Sequence, residues 1–297
     1  MTKFIEQRSV RRPASKRTVI LYHAECTDGF VAAWAAYKKF GLKAQYIPVE
    51  HQVPPPDDLV GREIYTVDFT YPREITEKLM AVNSRVTAID HHVSVADVTR
   101  MTAGGVYDND KSGAMLSWEF FNPGITPPFL VRIVQDYDLH RFALSETVTL
   151  VDWLDLFDFD FKAYDRLARM LDRPAGLKGA LKQGELVKTF REKVVQRLVA
   201  NAAYEVQFEH YRVLAVTTEL FHAETADMLA KGRPFGIAWR VRGKGTYCSL
   251  RSEADGVNVA ELAAKYGGGG HAHAAGFVVP TPADLPFTPV PKRTEYR

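Results

Sequence analysis

Cysteine is almost missing from this chain: Cys26 and Cys248 are the only two among 297 residues. Two thiols build neither a disulfide framework nor a cysteine-rich zinc module, and the count suits a reducing compartment. Long apolar runs are lacking, and none approaches the ~18–20 residues that a bilayer span requires. The opening residues show no apolar segment of a secretory signal, so a cytoplasmic location without a membrane partner is expected. No internal repeat is visible. Excess charge is lacking too: 38 Lys and Arg stand against 36 Asp and Glu, a net +2. The balance is uneven along the chain. Residues 1–17 carry Lys3, Arg8, Arg11, Arg12, Lys16 and Arg17 against Glu6, an excess of five, so the remainder sums to −3. A basic arm can hold phosphate backbones or be a plain solvated terminus, while the negative body argues against tight binding of long nucleic acids.

What is present is ordinary for a soluble globular protein, with 46% apolar and 25% charged residues. The length suits two domains, or one large α/β domain. Residues 19–22 form an apolar run that reads as a buried strand, and 30–40 read as a helix stopped by Gly41. Further strands are expected at 43–49, 63–69 and 85–90, with helices at 73–82, 113–121 and 128–134. That alternation predicts a parallel sheet with helices on both faces. Helical patterns at 161–171 and 184–203 follow. A second α/β region then has strands at 205–217, 235–241 and 246–251 and a helix at 223–231. Another helix begins at the cap Asn258, with Glu261 three residues on, and ends at Tyr266. The last residues, from 280, hold five of the 16 prolines and read as an extended strap. The expected division is a basic arm at 1–17, a parallel-sheet domain at 18–150, a helical linker at 151–204, a smaller α/β domain at 205–280 and a proline-rich tail at 281–297.

Ligands of parallel sheets gather outside the carboxyl ends of the strands, where four polar clusters are expected here. His23 and Asp28 flank a strand-to-helix turn and could share a metal ion. Cys26 between them is either a thiolate ligand or a small buried residue. Asp68 ends an apolar strand, where a solvated or capping Asp is the plain alternative. Asp90-His91-His92 is more specific, because three adjacent ligand-type side chains are hard to satisfy by packing. Asp136 and Asp138 follow an apolar helical run, where helix-end solvation is the ordinary reading. The mixture of His and Asp favours Mn²⁺, Mg²⁺ or Zn²⁺ at catalytic positions. Several carboxylates suit a pair of ions about 3.5–4 Å apart, which acidify a water and clamp a phosphate in displacement. Far downstream stands Gly267-Gly268-Gly269-Gly270-His271. One glycine commonly ends a helix, but four expose backbone N–H groups that a phosphate can approach closely. His271 reads as a phosphate or sugar contact, and Arg251 as a partner to it or a surface arginine.

In this order, His23, Cys26-Thr27-Asp28-Gly29, Val67-Asp68, Asp90-His91-His92 and Gln135-Asp136 resemble the motifs of the DHH phosphoesterase family. The string at 267–277 is similar to the signature of its companion, the DHH-associated domain. The resemblance implies a parallel-sheet domain carrying two Mn²⁺ ions, a helical linker, and a smaller substrate-binding domain across a cleft. By motif position His23 would bind the first ion and Asp28 the second. Asp68 and Asp136 would bind or bridge both, His91 would ligate the second, and His92 would touch the scissile phosphate. Asp68, Asp90 and His92 form the implied catalytic set. Gly268, Gly269, Gly270, His271 and Arg251 would hold the nucleotide or its terminal phosphate. One position departs from the family, whose first motif is usually Asp-x-Asp-Gly, because Cys26 stands where the first aspartate is expected. A thiolate there would favour softer ions such as Zn²⁺, and Mg²⁺ or Co²⁺ are further alternatives to Mn²⁺.

The expected activity is hydrolysis of phosphoester bonds in a small nucleotide or short oligonucleotide by two-metal activation of water. Two rivals stay open: a phosphoanhydride hydrolase acting on pyrophosphate or polyphosphate, and a nucleic-acid-binding protein without catalysis, for which the lost aspartate at Cys26 leaves room. The oligomeric state is undetermined, and a homodimer is compatible with the chain.

Overall fold

Val19, Ile20 and Leu21 are each fully buried, as a strand covered on both faces by helices must be. They belong to β1 (Thr18–His23) of a computed structural model that describes residues 16–50, 53–243 and 245–291. Most of the basic arm and the last six residues lie outside the described residues. The chain divides into two units, 1–184 and 185–297.

In the first unit β1 is followed by α1 (Thr27–Phe40), β2 (Ala44–Val49), β3 (Glu63–Val67), α2 (Arg73–Val82) and β4 (Arg85–Asp90). Then come α3 (Ala96–Met101), β5 (Val106–Tyr107), α4 (Gly113–Phe121), α5 (Phe129–Asp138), α6 (Thr147–Leu154) and α7 (Phe161–Leu171). The five strands are all parallel, in the order β2-β1-β3-β4-β5. Their side chains alternate between two cores, as the two-residue period requires. Val19, Leu21, Ile64 and Val86 pack with Leu79 of α2, while Ile20, Tyr65 and Ile89 pack with Ala32 and Ala36 of α1. A larger core joins Phe30 and Trp34 of α1 to Trp118, Leu130, Ile133, Trp153 and Tyr164, which ties α4 to α7 into this unit.

The division between units falls within α8 (Pro174–Ala202), a helix ten residues longer at its start than the pattern at 184–203 predicts. Proline is tolerated at a first helical position because the N–H it lacks has no partner there; Gly176 and Gly179 masked the helical pattern behind it. The second unit contains β6 (Tyr204–Phe208), β7 (Tyr211–Thr217), α9 (His222–Ala230), β8 (Gly236–Arg242) and β9 (Gly245–Arg251). It continues with α10 (Val259–Ala264), β10 (Gly269–His271), β11 (Ala274–Val279) and β12 (Phe287–Pro289). The seven strands run in the order β10-β11-β9-β8-β7-β6-β12. Only β7 and β8 are parallel, and α9 makes the crossover between them. The stretch expected as one strand at 205–217 is a hairpin, because Glu209 takes the left-handed conformation at φ 52°. Part of the proline-rich strap is itself a strand: β12 pairs with β6, Phe287 opposite Phe208.

Candidate metal centre and active site

In the first unit β2 lies on one side of β1 and β3 on the other, so the strand order reverses between β1 and β3. Such a switch point opens a crevice at the carboxyl ends, because the two outgoing connections leave in opposite directions. His23 ends β1, Asp68 follows β3, and Asp90, His91 and His92 end or follow the adjacent β4. Asp68 takes the left-handed conformation at φ 63°, a strained state for a residue with a side chain that is held here by its surroundings. Its N–H donates to Ile89 O at 2.9 Å, which fixes the turn against β4.

Asp68 is the hinge of the cluster. Its Oδ2 lies 3.4 Å from His23 Nδ1, and its Oδ1 lies 3.3 Å from His91 Nε2. His23, Cys26 and Asp68 bring one ligand atom each within 4.8 Å of one another, and so do Asp28, His91 and Asp138. Thus one carboxylate faces a histidine of each triplet with a different oxygen. Close backbone approach makes this possible. A Cβ at Gly29 would sit 2.3 Å from His23 O, and one at Gly113 would sit 2.5 Å from Asp68 Cβ. Both glycines let a helix start directly against a strand end. The α4 start also supplies a donor, Ala114 N–H to Asp28 Oδ1 at 3.1 Å, which favours negative charge at a helix N-terminus.

The electrostatics separate these acids. Burial raises Asp28 well above the usual carboxylate range, and the charges of Asp68 and Asp138 add to the shift. Burial likewise pushes Asp138 up to about 6. For Asp68 burial acts the same way, but hydrogen bonds from His23 and His91 outweigh it and hold the group well below the ordinary value. Burial, then the charges of Asp68, Asp28 and Asp138, push the Cys26 thiol well up. Asp28 Oδ2 and Asp138 Oδ2 are buried without a hydrogen bond, and Asp68 Oδ1 has none beyond the approach of His91. Buried carboxylate oxygens without donors are costly. A divalent cation satisfies such an oxygen–imidazole set, so the residues fit the ions that the motifs imply.

Asp90 does a different job. It is fully buried, and its Oδ1 accepts from His91 N at 2.7 Å and His92 N at 3.1 Å, and lies 2.8 Å from His92 Nδ1. Burial opposes protonation of His92, but the hydrogen bond and charge of Asp90 outweigh it and push that imidazole up to about 9. Asp90 therefore orients His92 rather than joining either triplet.

Asp136 requires a correction, because it is engaged elsewhere. Its carboxylate accepts from Ala143 N at 2.9 Å, Leu144 N at 3.1 Å and Thr147 Oγ1, pinning the loop that leads into α6. The acid that reaches the cluster is Asp138, whose Oδ2 lies 3.7 Å from His91 Nε2. Helical phase alone does not separate the two, since Asp136 is buried on α5 as well. Four residues before Asp138 comes Val134, and four before that Leu130, both buried, so Asp138 continues the apolar face of α5. Ser112 was missed as well. It caps α4 through Met115 N at 3.3 Å and hydrogen-bonds Asp28, lowering its pKa against the larger effect of burial. Its signal was a serine immediately before an apolar helix.

In the second unit the glycine string ends α10 and turns into the β10–β11 hairpin. Gly267 has φ 75° and Gly270 φ 139°. A Cβ at Gly268 would lie 2.1 Å from Gly276 O, one at Gly270 2.5 Å from Ala274 O, and one at Gly269 would meet nothing within 4 Å. Hairpin geometry thus accounts for three of the four, and Gly269 alone leaves open space. Arg251 and His271 are both paired with Ala274, from opposite sides. Directly paired residues point to one face of a sheet, so these two side chains share a face about two strand spacings, ~10 Å, apart. Arg251 Nε approaches Asp227 Oδ1 at 3.7 Å, and its Nη1 donates to Ser249 Oγ at 3.2 Å.

Comparison with known proteins agrees with these features. Residues 222–287 match the DHHA1 domain. The chain is 25% identical over 285 residues to an uncharacterised protein of Acanthamoeba polyphaga mimivirus, covering 87% of this chain and 66% of that protein. It is 24% identical over 233 residues to oligoribonuclease NrnB of Bacillus subtilis (strain 168), covering 72% of this chain and 58% of that one. The chain thus spans less than two thirds of the length of either relative. Among solved structures, a pGpG-specific phosphodiesterase, PggH from Vibrio cholerae, aligns over 89% of this chain and 94% of its own, at a TM-score of 0.45 and 16% identity. The second unit thus carries a DHHA1 domain. Among the described residues no helix is long and apolar enough to cross a membrane.

Proposed function

We propose that this chain hydrolyses phosphoester bonds of a small nucleotide or short oligonucleotide with the help of two divalent cations. The observation that supports this most is Asp68, whose two oxygens face His23 and His91, one histidine from each triplet. His23 and Asp68 would hold one cation, with Cys26 beside them, and Asp28, His91, Asp138 and Asp68 the other. Mn²⁺ suits the oxygen–imidazole set, and a Cys26 thiolate would shift the first site towards Zn²⁺. Bound there, the cations supply charge neutralisation at phosphate oxygens and a more acidic water. His92, positively charged at neutral pH under the hold of Asp90, serves a phosphate oxygen in the transition state. Gly269, His271 and Arg251 would bind the terminal phosphate or sugar in the second unit. In this division of labour the first unit, whose core takes in α6 and α7, carries the chemistry, and residues 205–280 bind substrate, in a reducing cytoplasmic setting.

The test is a panel of short oligoribonucleotides, cyclic dinucleotides, 3′,5′-bisphosphorylated nucleosides and pyrophosphate, each with Mn²⁺, Mg²⁺, Co²⁺ or Zn²⁺. Release of mononucleotide or phosphate from an ester, lost in Asp68→Ala and His91→Ala, is the expected outcome. Cleavage of pyrophosphate alone would move the assignment to phosphoanhydrides. Oligonucleotide binding without product at saturating Mn²⁺ would leave a non-catalytic binder.

A further inference from the structure

Strained backbone gathers around the cation-ligand cluster. Among the described residues six other than glycine take a positive φ, and Glu25, Asp68, His140 and Phe142 are four of them. Asp68 is itself in the cluster, Glu25 precedes Cys26, and His140 and Phe142 follow Asp138 by two and four positions. The last two belong to the loop between α5 and α6, which is wound tightly on the end of α5. Asp136 O accepts from Arg141 N at 3.0 Å and from Phe142 N at 3.4 Å, while the Asp136 carboxylate holds Ala143 and Leu144. A left-handed backbone is strained for any residue with a side chain and rare for a bulky one. Here the strain does not serve burial: Phe142, at φ 47°, is 43% exposed. Its ring lies 4.9 Å from that of His140 at 62° and 6.0 Å from that of Tyr137 at 88°. Arg141 beside it is exposed as well. An exposed ring among cationic neighbours on a rigid loop has the composition of a surface on which nucleic-acid bases stack.

The loop stands at the edge of the sheet that carries the cation ligands. Arg141 Nη2 donates to Asp110 O at 2.7 Å. Asp110 lies in the connection that leaves the carboxyl end of β5 and enters α4, where Gly113 abuts Asp68. At its other end the loop begins from Asp138, whose Oδ2 lies 3.7 Å from His91 Nε2. Because Phe142 N reaches Asp136 O, its Cα stays within about 13 Å of Asp138 Cα. One nucleotide and two side chains bridge such a distance. We propose that Phe142 is the stacking platform for the base of the nucleotide whose phosphate meets the cations, an inference that rests on the reading of the cluster as a phosphoester hydrolase. Every base has a π-face, so the platform separates nucleotides from sugar phosphates and pyrophosphate rather than one base from another. Purines lead pyrimidines only by their larger ring area. A ring held outwards in advance needs no ordering when the nucleotide arrives, and that is what the backbone strain secures.

Calorimetric titration of the full chain, with Mn²⁺, by AMP, UMP and ribose 5-phosphate tests this without turnover. AMP is expected to bind roughly tenfold more tightly than ribose 5-phosphate, with UMP between them. Phe142→Ala should remove that advantage, and Phe142→Tyr should keep it. Phe142→Gly should remove it too while melting no lower than wild type, because glycine accepts the left-handed conformation freely. A ring that served packing would instead lower the melting temperature when deleted. Equal affinity for AMP and ribose 5-phosphate, an AMP advantage that survives Phe142→Ala, or a Phe142→Gly protein that melts well below wild type would each overturn the platform. UMP bound no tighter than ribose 5-phosphate would overturn its tolerance of bases. Hydrolysis of bis(4-nitrophenyl) phosphate by the unaltered chain reports on the hydrolase reading separately. Its absence beside an intact AMP advantage would sink that reading and leave a nucleotide-binding loop.

Discussion

Asp136→Asn and Asp138→Asn differ by two positions and should have opposite phenotypes. Asp136 accepts from two backbone N–H groups and from Thr147 Oγ1. Asparagine keeps one acceptor but puts an amino group where Leu144 N and Thr147 Oγ1 donate. Hydrogen bonds to a charged acceptor contribute roughly 1.5–3 kcal/mol each. Ala143 is exposed and Leu144 half-buried, so water replaces part of the loss; the cost should be about 2–4 kcal/mol. For a unit of this size that lowers the melting temperature by roughly 5–12 °C. The sign with pH follows from the depressed pKa of Asp136, where burial is outweighed by Thr147, Ala143 and Leu144. Its stabilisation is complete above the unfolded value of about 4 and is lost as pH falls through the folded one. The gap between wild type and Asp136→Asn should therefore be constant from about pH 5 upwards and close below about pH 4. Asp138→Asn should do the reverse. Its acid is raised, so the charged form opposes folding at neutral pH, and the metal-free variant should melt no lower than wild type while losing its response to Mn²⁺. Thermal scans with Mn²⁺ and with chelator, across this pH range, read both. An Asp136→Asn protein of unchanged stability that no longer responds to Mn²⁺ would refute the exchange of roles.

Asp90→Asn should lower kcat about tenfold or more at pH 8, with less effect at lower pH, because His92 would lose the hydrogen bond and charge that raise it to about 9; a loss independent of pH would contradict Asp90 acting through His92. In the hairpin, Gly268→Ala should destabilise the second unit, since its Cβ would lie 2.1 Å from Gly276 O, whereas Gly269→Ala should fold normally and raise KM for nucleotide substrates. Equal melting temperatures for the two variants would show that the hairpin yields where its packing says it cannot.

The strands that place the site were legible because a buried parallel sheet writes itself as short apolar runs; β1, β3 and β4 were expected within two or three residues, and with them the positions of His23, Asp68 and Asp90-His91-His92. Two kinds of information were not there to be read locally. Whether an acid at a helix end turns inwards depends on what lies opposite: Asp136 meets three donors from the loop before α6, while Asp138 meets His91. The other kind is close approach. Gly113 was read only as the start of a helix, yet its missing side chain is what lets α4 abut Asp68. The glycine string shows the converse. Four in a row suggested a ligand cradle, and three of them answer to their own hairpin.

The cluster as built is a liability that a cation removes, and this has a measurable consequence. Asp28, Asp68 and Asp138 share one buried neighbourhood, and the imidazoles of His23, His91 and His92 oppose their charge. Protons and cations therefore compete for the same oxygens. A cation that binds only the folded chain adds about 2.7 kcal/mol at a concentration one hundred times its Kd, or roughly 5–10 °C in the first unit. Below about pH 5 that gain should shrink, since Asp138 is raised to about 6 and is then protonated, and burial raises Asp28 in the same direction. It should grow as pH rises towards 8. Cys26→Ser separates the two halves of the site: if the thiolate is a ligand, the shift with Zn²⁺ shrinks while that with Mn²⁺ persists, because the softer ion draws more from sulfur. A thermal shift with Mn²⁺ that is the same at pH 5 and pH 8 would mean that the ion binds somewhere other than among these carboxylates.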